Sequence, residues 1–284
     1  MKKLIFASLL LSLAWGVDAQ KKVTYANPQQ VDAFFKSKTK VVMDANPMIG
    51  YNIVIANAVK KFWTITPFEI ISSDEFDEQF NDATSSFIFL SRLTLDKKKD
   101  VSYLYMNIVM GAAKVKDITD LPELLSVPLA YAGVDEDNYV DKLPLMLQFA
   151  QIHIRRIHDK KLKMYTLRDY NDNAKELKSK TLLLKQTDLS KEVNSLEAIQ
   201  KVYSGKVRIA STEEITQAIE KKEANTAVLL QVGPSEDEHS GRSYRLIYGI
   251  DNGKLLYYNY QNLSEKTPQG MLAKDFKWIE DKIN

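Results

Sequence analysis

The alternation of apolar and polar positions along this chain predicts a run of short strands and helices. Thr39 to Met43 is a β-branched run without polar alternation after Lys40, the pattern of a buried strand. Tyr51, Val54, Ile55, Ala58, Val59 and Phe62 then fall on one face of a helix, with Asn52, Asn57 and Lys60 on the other. Pro67 to Ile71 reads as a second strand. Ser72 with Glu75 three residues on makes a capping box, opening a helix whose Phe76 and Phe80 point inward. Ser85–Leu93, Val101–Val109 and Val127–Ala132 predict three further strands, and Tyr139–His158 a long helix.

The same order then returns. Lys36-Ser37-Lys38-Thr39 reappears as Lys178-Ser179-Lys180-Thr181, an offset of 142. Phe68 to Phe76 reappears as Val207 to Ile215, at 139, and Phe87 to Leu90 as Val228 to Gln231, at 141. Ser211 and Glu214 rebuild the capping box, with Ile215 and Ile219 where Phe76 and Phe80 stood. Asp251-Asn252-Gly253 between two strands signals a tight hairpin. Two copies of one supersecondary unit are the economical explanation. Each reads β-α-β-α-β-β-β-α, and the fold class is α/β with mixed sheets covered by helices. Helical crossovers make the first three strands parallel, and hairpins make the later ones antiparallel. The expected division is a leader over 1–19, a first unit over 20–158, a polar linker over 159–177 and a second unit over 178–284. The units are expected to superpose and to pack pseudo-symmetrically.

The N-terminus changes the setting. Met1-Lys2-Lys3, the apolar run Leu4–Trp15 and the small-residue exit Val17-Asp18-Ala19 read as a signal peptide cut after Ala19. Twelve apolar residues are too few for ~30 Å of hydrocarbon, so the mature chain is expected to be soluble, periplasmic or secreted, without a transmembrane segment. There is no cysteine, which excludes disulfides, thiolate chemistry and a lipidated N-terminal cysteine. Losing Lys2, Lys3 and Asp18 lowers the formal net charge of +2 by one. That near-neutral balance argues against nucleic acid as a partner.

Strand Val41-Val42, helix Tyr51–Phe62, Phe68-Glu69-Ile70-Ile71-Ser72-Ser73 and Ser85–Leu93, with their second-copy counterparts, resemble in layout the small α/β module of the TolB N-terminal domain, the curli secretion lipoproteins and the outer-membrane activators of peptidoglycan synthases. The resemblance covers about two thirds of each copy and transfers no functional residue. It implies an envelope assembly or partner-binding role. The chain departs from those proteins in having no lipidated cysteine and no propeller.

Candidate chemistry is sparse. His153 and His158 lie five apart on one helix, about 140° from each other, and cannot share a metal. No zinc-protease, nucleophile-elbow, P-loop or dinucleotide motif occurs, and neither cofactor nor metal is expected. Asp44 is the one catalytic candidate, because it ends the first strand, where open α/β sheets place ligands; the alternative is that it caps the turn into the helix, as the polar Gln186-Thr187-Asp188 of the second copy suggests. Tyr103, Tyr105, Tyr131, Tyr248, Tyr257, Tyr258 and Tyr260 enrich the late strands, as half-buried sheet residues or as a sugar- or peptide-binding face. The loops after the third strands differ in charge: Lys97, Lys98 and Lys99 in one copy, Glu236, Asp237 and Glu238 in the other. They are solvated turns or binding tips for different partners. The acidic run is consecutive rather than alternating, unlike a calcium loop. The sequence therefore reads as an exported, non-enzymatic binding or assembly module for an envelope protein or cell-wall component, with a periplasmic hydrolase centred on Asp44 as the alternative.

Overall fold

The computed structural model describes residues 23–96, 101–136, 139–160, 166–234 and 240–284. The leader at 1–19 and both charged tips, Lys97–Lys99 and Glu236–Glu238, lie outside the described residues.

The first unit runs α1 (Pro28–Phe34), β1 (Lys38–Val42), α2 (Gly50–Phe62), β2 (Phe68–Ile71), α3 (Ser73–Gln79), β3 (Ser85–Asp96), β4 (Val101–Met110), β5 (Glu123–Tyr131) and α4 (Leu143–His158). The second runs β6 (Thr181–Leu184), α5 (Leu196–Gln200), β7 (Lys206–Ile209), α6 (Thr212–Lys221), β8 (Thr226–Val232), β9 (Arg242–Gly249), β10 (Leu255–Asn262) and α7 (Ala273–Ile283). Strand order is β2-β1-β3-β4-β5 in one sheet and β7-β6-β8-β9-β10 in the other. In each, the first three strands are parallel and the last two antiparallel. The topology is the same twice, as the duplicated pattern predicts.

Local chemistry agrees in both copies. Ser72 and Ser211 each accept a backbone N–H from the glutamate three residues on, and each glutamate reaches back to the serine N–H. The Asp251-Asn252-Gly253 turn joins β9 to β10. Gly253 has φ +66, and a Cβ there would lie 2.6 Å from the Gln148 Cβ of α4. Glycine thus supplies both the left-handed turn and the space in which α4 passes.

One repeat offset hides a slip. Val41 and Ile88 pack with Ile55 and Val59 of α2, whereas Leu182, Leu184 and Leu229 pack with Ile199 of α5. Leu183, which the 142 offset equates with Val41, lies on the opposite face with Ile215 and Ile219 of α6. A one-residue shift reverses every side chain in a strand, so the counterpart of Val41 is Leu182 or Leu184. The odd offsets of the second and third strands preserve the faces.

The pseudo-symmetric packing expected from the repeat is not what forms. In each unit, the first and last helices cover one sheet face, and the capped helix covers the other. The two units stack through unlike faces: α4, on the first unit's α2 face, meets the second unit's α6 face. Phe149 of α4 packs on Tyr248 of β9 with ring centroids 5.8 Å apart. Helix α4 is buried on nearly every side, from Leu143 through Ile154, and one continuous apolar core crosses the join. Between the two sheets, α4 is covered on both sides.

The described part of the connection is packed against the second unit. From 167 to 179 the chain forms 3-10 turns with Leu167, Tyr170, Ala174 and Leu177 buried. The Asn171 amide bonds both the N–H and the C=O of Tyr258 at 2.7 and 3.0 Å, closing the free edge of β10. On the far side, Arg245 is fully buried, 3.1 Å from Asp275 of α7, which also accepts from Tyr257 and Asn259.

Candidate functional site

A groove lies on the outer face of the first sheet, beyond α3. It encloses about 200 Å3. Alternate residues of β3 and β4 build its floor, Phe89 and Ser91 from one strand and Tyr105, Asn107 and Val109 from the other. Ile118 and Leu121, from the connection between β4 and β5, form a wall, and Val23 lies at the lip. A polar strip crosses three strands: the Asn107 amide donates to Ser91 Oγ at 2.9 Å, and Ser126 Oγ donates to Asn107 Oδ1 at 2.9 Å.

Glu123 is the charged group at one end, with Arg92 also lining the groove. A bulge between the partners of Ile108 and Val109 sets Glu123 opposite Val109, on the groove side of the sheet. Its backbone is pinned by the incoming chain, through Glu123 N–H to Thr24 O at 2.8 Å and Ala26 N–H to Glu123 O at 2.9 Å. No hydrogen bond or ion pair reaches its carboxyl among the described residues. Burial alone pushes that carboxyl up to about 7. Sequence reasoning missed Glu123 because the predicted strand began at Val127. The available signal was a lone acid between Leu121 and the pair Leu124-Leu125.

The groove has a counterpart, and the counterpart is filled. Phe87 pairs with Val109 in the first unit; Val228 pairs with Tyr248 in the second. Counting by twos from these pairs, Asn107 and Tyr105 answer to Leu246 and Tyr244. That second-unit face is the seat of α4. In the first unit the same seat is open among the described residues.

Asp44 is placed at the carboxyl end of β1, as its position in the sequence implies, beside a cavity of about 70 Å3 shared with Asp77 and Phe76. Its side chain is exposed and accepts the Asn46 N–H at 2.9 Å, an Asx turn. Asn52, expected on the solvent face of α2, is buried instead. Its amide holds the loop through Asp44 O, Asn46 O and Asp44 N–H at 3.0, 3.0 and 2.8 Å. No lysine or histidine is brought to Asp44 among the described residues lining this cavity.

The second unit's equivalent end, after β6, carries Asp188 in a cleft of about 200 Å3 at the join. Asp188 is buried, its Oδ2 has no hydrogen-bond partner among the described residues, and burial pushes it up to about 6. Nearby Lys142 is fully buried and bonds both Asp141 oxygens, at 2.6 and 2.5 Å.

The tyrosines divide into packing roles. Tyr103, Tyr105 and Tyr244 meet across the join, where Tyr105 and Tyr244 share a 2.8 Å hydroxyl bond and Tyr103 OH donates to Arg242 O at 2.8 Å. Tyr248 and Tyr257 are core residues. Tyr131, Tyr258 and Tyr260 stay half-buried beside them. His153 is buried against Tyr170, 3.0 Å from its hydroxyl, and burial with nearby Arg156 pushes it down to about 3. His158 lies 3.4 Å from Asp32. Among the described residues, no group of three or more acids and histidines is arranged to hold a metal, and no helix is long and apolar enough to cross a membrane.

No protein-family model, curated protein or solved structure matches this chain.

Proposed function

We propose that this chain is an exported binding or assembly module of the cell envelope that engages a protein partner through the outer face of its first sheet. One observation carries the reading: the outer face of the first sheet holds an open, mostly apolar groove with a few convergent polar groups, the composition of a recognition site. The leader-like N-terminus supports export. The resemblance in layout drawn from the sequence points the same way. The hydrolase alternative needs an activating group at Asp44, and an exposed carboxylate held in an Asx turn favours the binding reading.

The test uses photo-crosslinking amino acids incorporated at Ser126 in the groove and at Lys277 on the outer side of α7, in cells of the native host. Adducts at Ser126 but not at Lys277, from a chain whose intact mass begins at Gln20, are expected. A chain recovered unprocessed from the cytoplasm, or one giving no protein adduct at any position scanned over both units, overturns the reading.

A further inference from the structure

The stack of two units ends differently at its two sides. At the second-unit end, α7 turns Lys274, Lys277, Asp281 and Lys282 to solvent, a polar surface on which nothing apolar can seat. On the first unit the groove is open among the described residues, bounded on one side by Tyr105, which meets Tyr244 of the second unit, and its floor occupies the register positions of the second-unit face on which α4 packs. The fold therefore contains its own example of what this seat accepts: a helix whose Phe149 packs on Tyr248 of β9 and whose Gln148 lies against the Gly253 turn. The polar end also argues against a second copy as occupant, because α7, the counterpart of α4, has no apolar outer face to offer.

The two seats differ in chemistry, and the difference selects the occupant. Leu246 and Tyr248 lie on the filled face. The open one replaces Leu246 by Asn107 and adds Ser91, Ser126 and Glu123. An occupant with no cation facing Glu123 would leave that carboxyl buried without a partner, which costs free energy. A cation on the occupant removes that cost and returns the carboxylate to its ionised form.

We propose that the groove is the docking site for an amphipathic α-helix of a protein partner, apolar along one ridge and carrying a lysine or arginine that faces Glu123. The inference rests on the binding-module reading and adds to it the shape and charge of the partner. Helix-in-groove recognition of this kind is read as anchors at i, i+3 or i+4, and i+7.

The probe is a displayed library of 16-residue helical peptides, selected on the folded chain. Selected helices are expected to share an apolar ridge with one basic position. They should bind Ser126→Trp and Ser91→Trp, which fill the groove from half-buried positions, at least tenfold more weakly. They should bind Glu123→Gln about threefold to tenfold more weakly above pH 7, and equally well at pH 5, where the wild-type carboxyl is protonated. Both tryptophan variants are checked for a native thermal transition, and a loss of binding counts only in the variant that keeps it. No enrichment, or enriched peptides that bind the tryptophan variants as well as the parent, overturns the proposal. Concentration-dependent dimerisation of the wild type that Ser126→Trp abolishes also overturns it, in favour of a second copy. Crosslinks at other surface positions together with failed helix selection would leave the binding-module reading standing while removing this site.

Discussion

Phe149 of α4 and Tyr248 of β9 pack edge to face with ring centroids 5.8 Å apart, and this contact joins two units that share one topology. Both side chains are fully buried. Because the core runs through them without a break, the chain should unfold as one body. Phe149→Ala is expected to cost about 3–5 kcal/mol, by lost transfer energy and the cavity left behind. Urea unfolding followed by tyrosine fluorescence and circular dichroism should show a single coincident transition at lower denaturant. Two separate transitions would mean that the units fold independently.

The paired caps offer a test of the repeat. Ser72 and Ser211 occupy the same position in their units and make the same bonds. Ser72→Ala and Ser211→Ala are each expected to cost about 1 kcal/mol. Additivity in the double variant follows, since the sites share no partner. Denaturant midpoints of the three variants decide it, and a several-fold difference between the two would show that the copies no longer use the cap alike.

Glu123 makes stability depend on pH in a definite direction. Its folded pKa of about 7 exceeds the ~4.3 of an unfolded glutamate, so between those values the folded state holds more protons. Stability is full below about pH 4, falls as pH rises towards 7, and is level above. Glu123→Gln is neutral in both states. It should be more stable than the parent by up to about 3 kcal/mol at pH 8 and no more stable at pH 4. Melting temperatures across that range provide the measurement. A flat difference would mean that water or a partner already solvates the carboxyl.

At the end of β1 the latch matters more than the acid. Asp44→Asn keeps an Asx turn and should change stability by less than about 0.5 kcal/mol. Asn52→Ala strands three backbone groups around Asp44 and Asn46 and is expected to cost about 1–3 kcal/mol. Thermal melts of the two variants should rank in that order. A larger loss for Asp44→Asn would restore interest in the carboxylate itself.

Much of the architecture was legible along the chain, because strand and helix leave different periods in the apolar pattern and the capping serines sit at fixed distances from their glutamates. The repetition of Ser72-Ser73-Asp74-Glu75 as Ser211-Thr212-Glu213-Glu214 fixed two helix starts. Three strands joined by helices, then two joined by hairpins, determined parallel and antiparallel pairing in both sheets. The faces were less secure. Val41 and Leu183 look equivalent in sequence yet point to opposite sides, because a single residue of slip reverses a strand and similarity among Val and Leu cannot register it. Asn52 looked like a surface residue until the loop at Asp44 folded back onto it. How the units meet was decided only in three dimensions. The apolar length of α4 announces burial, but not which face will cover it, and the like faces of a repeat have no obligation to meet. The groove follows from that choice: stacking through unlike faces covers the second unit's seat and leaves the first one open. Glu123 owes its high pKa to that surrounding wall and floor, and no local pattern in Leu121-Pro122-Glu123-Leu124 states how much water the fold will take away.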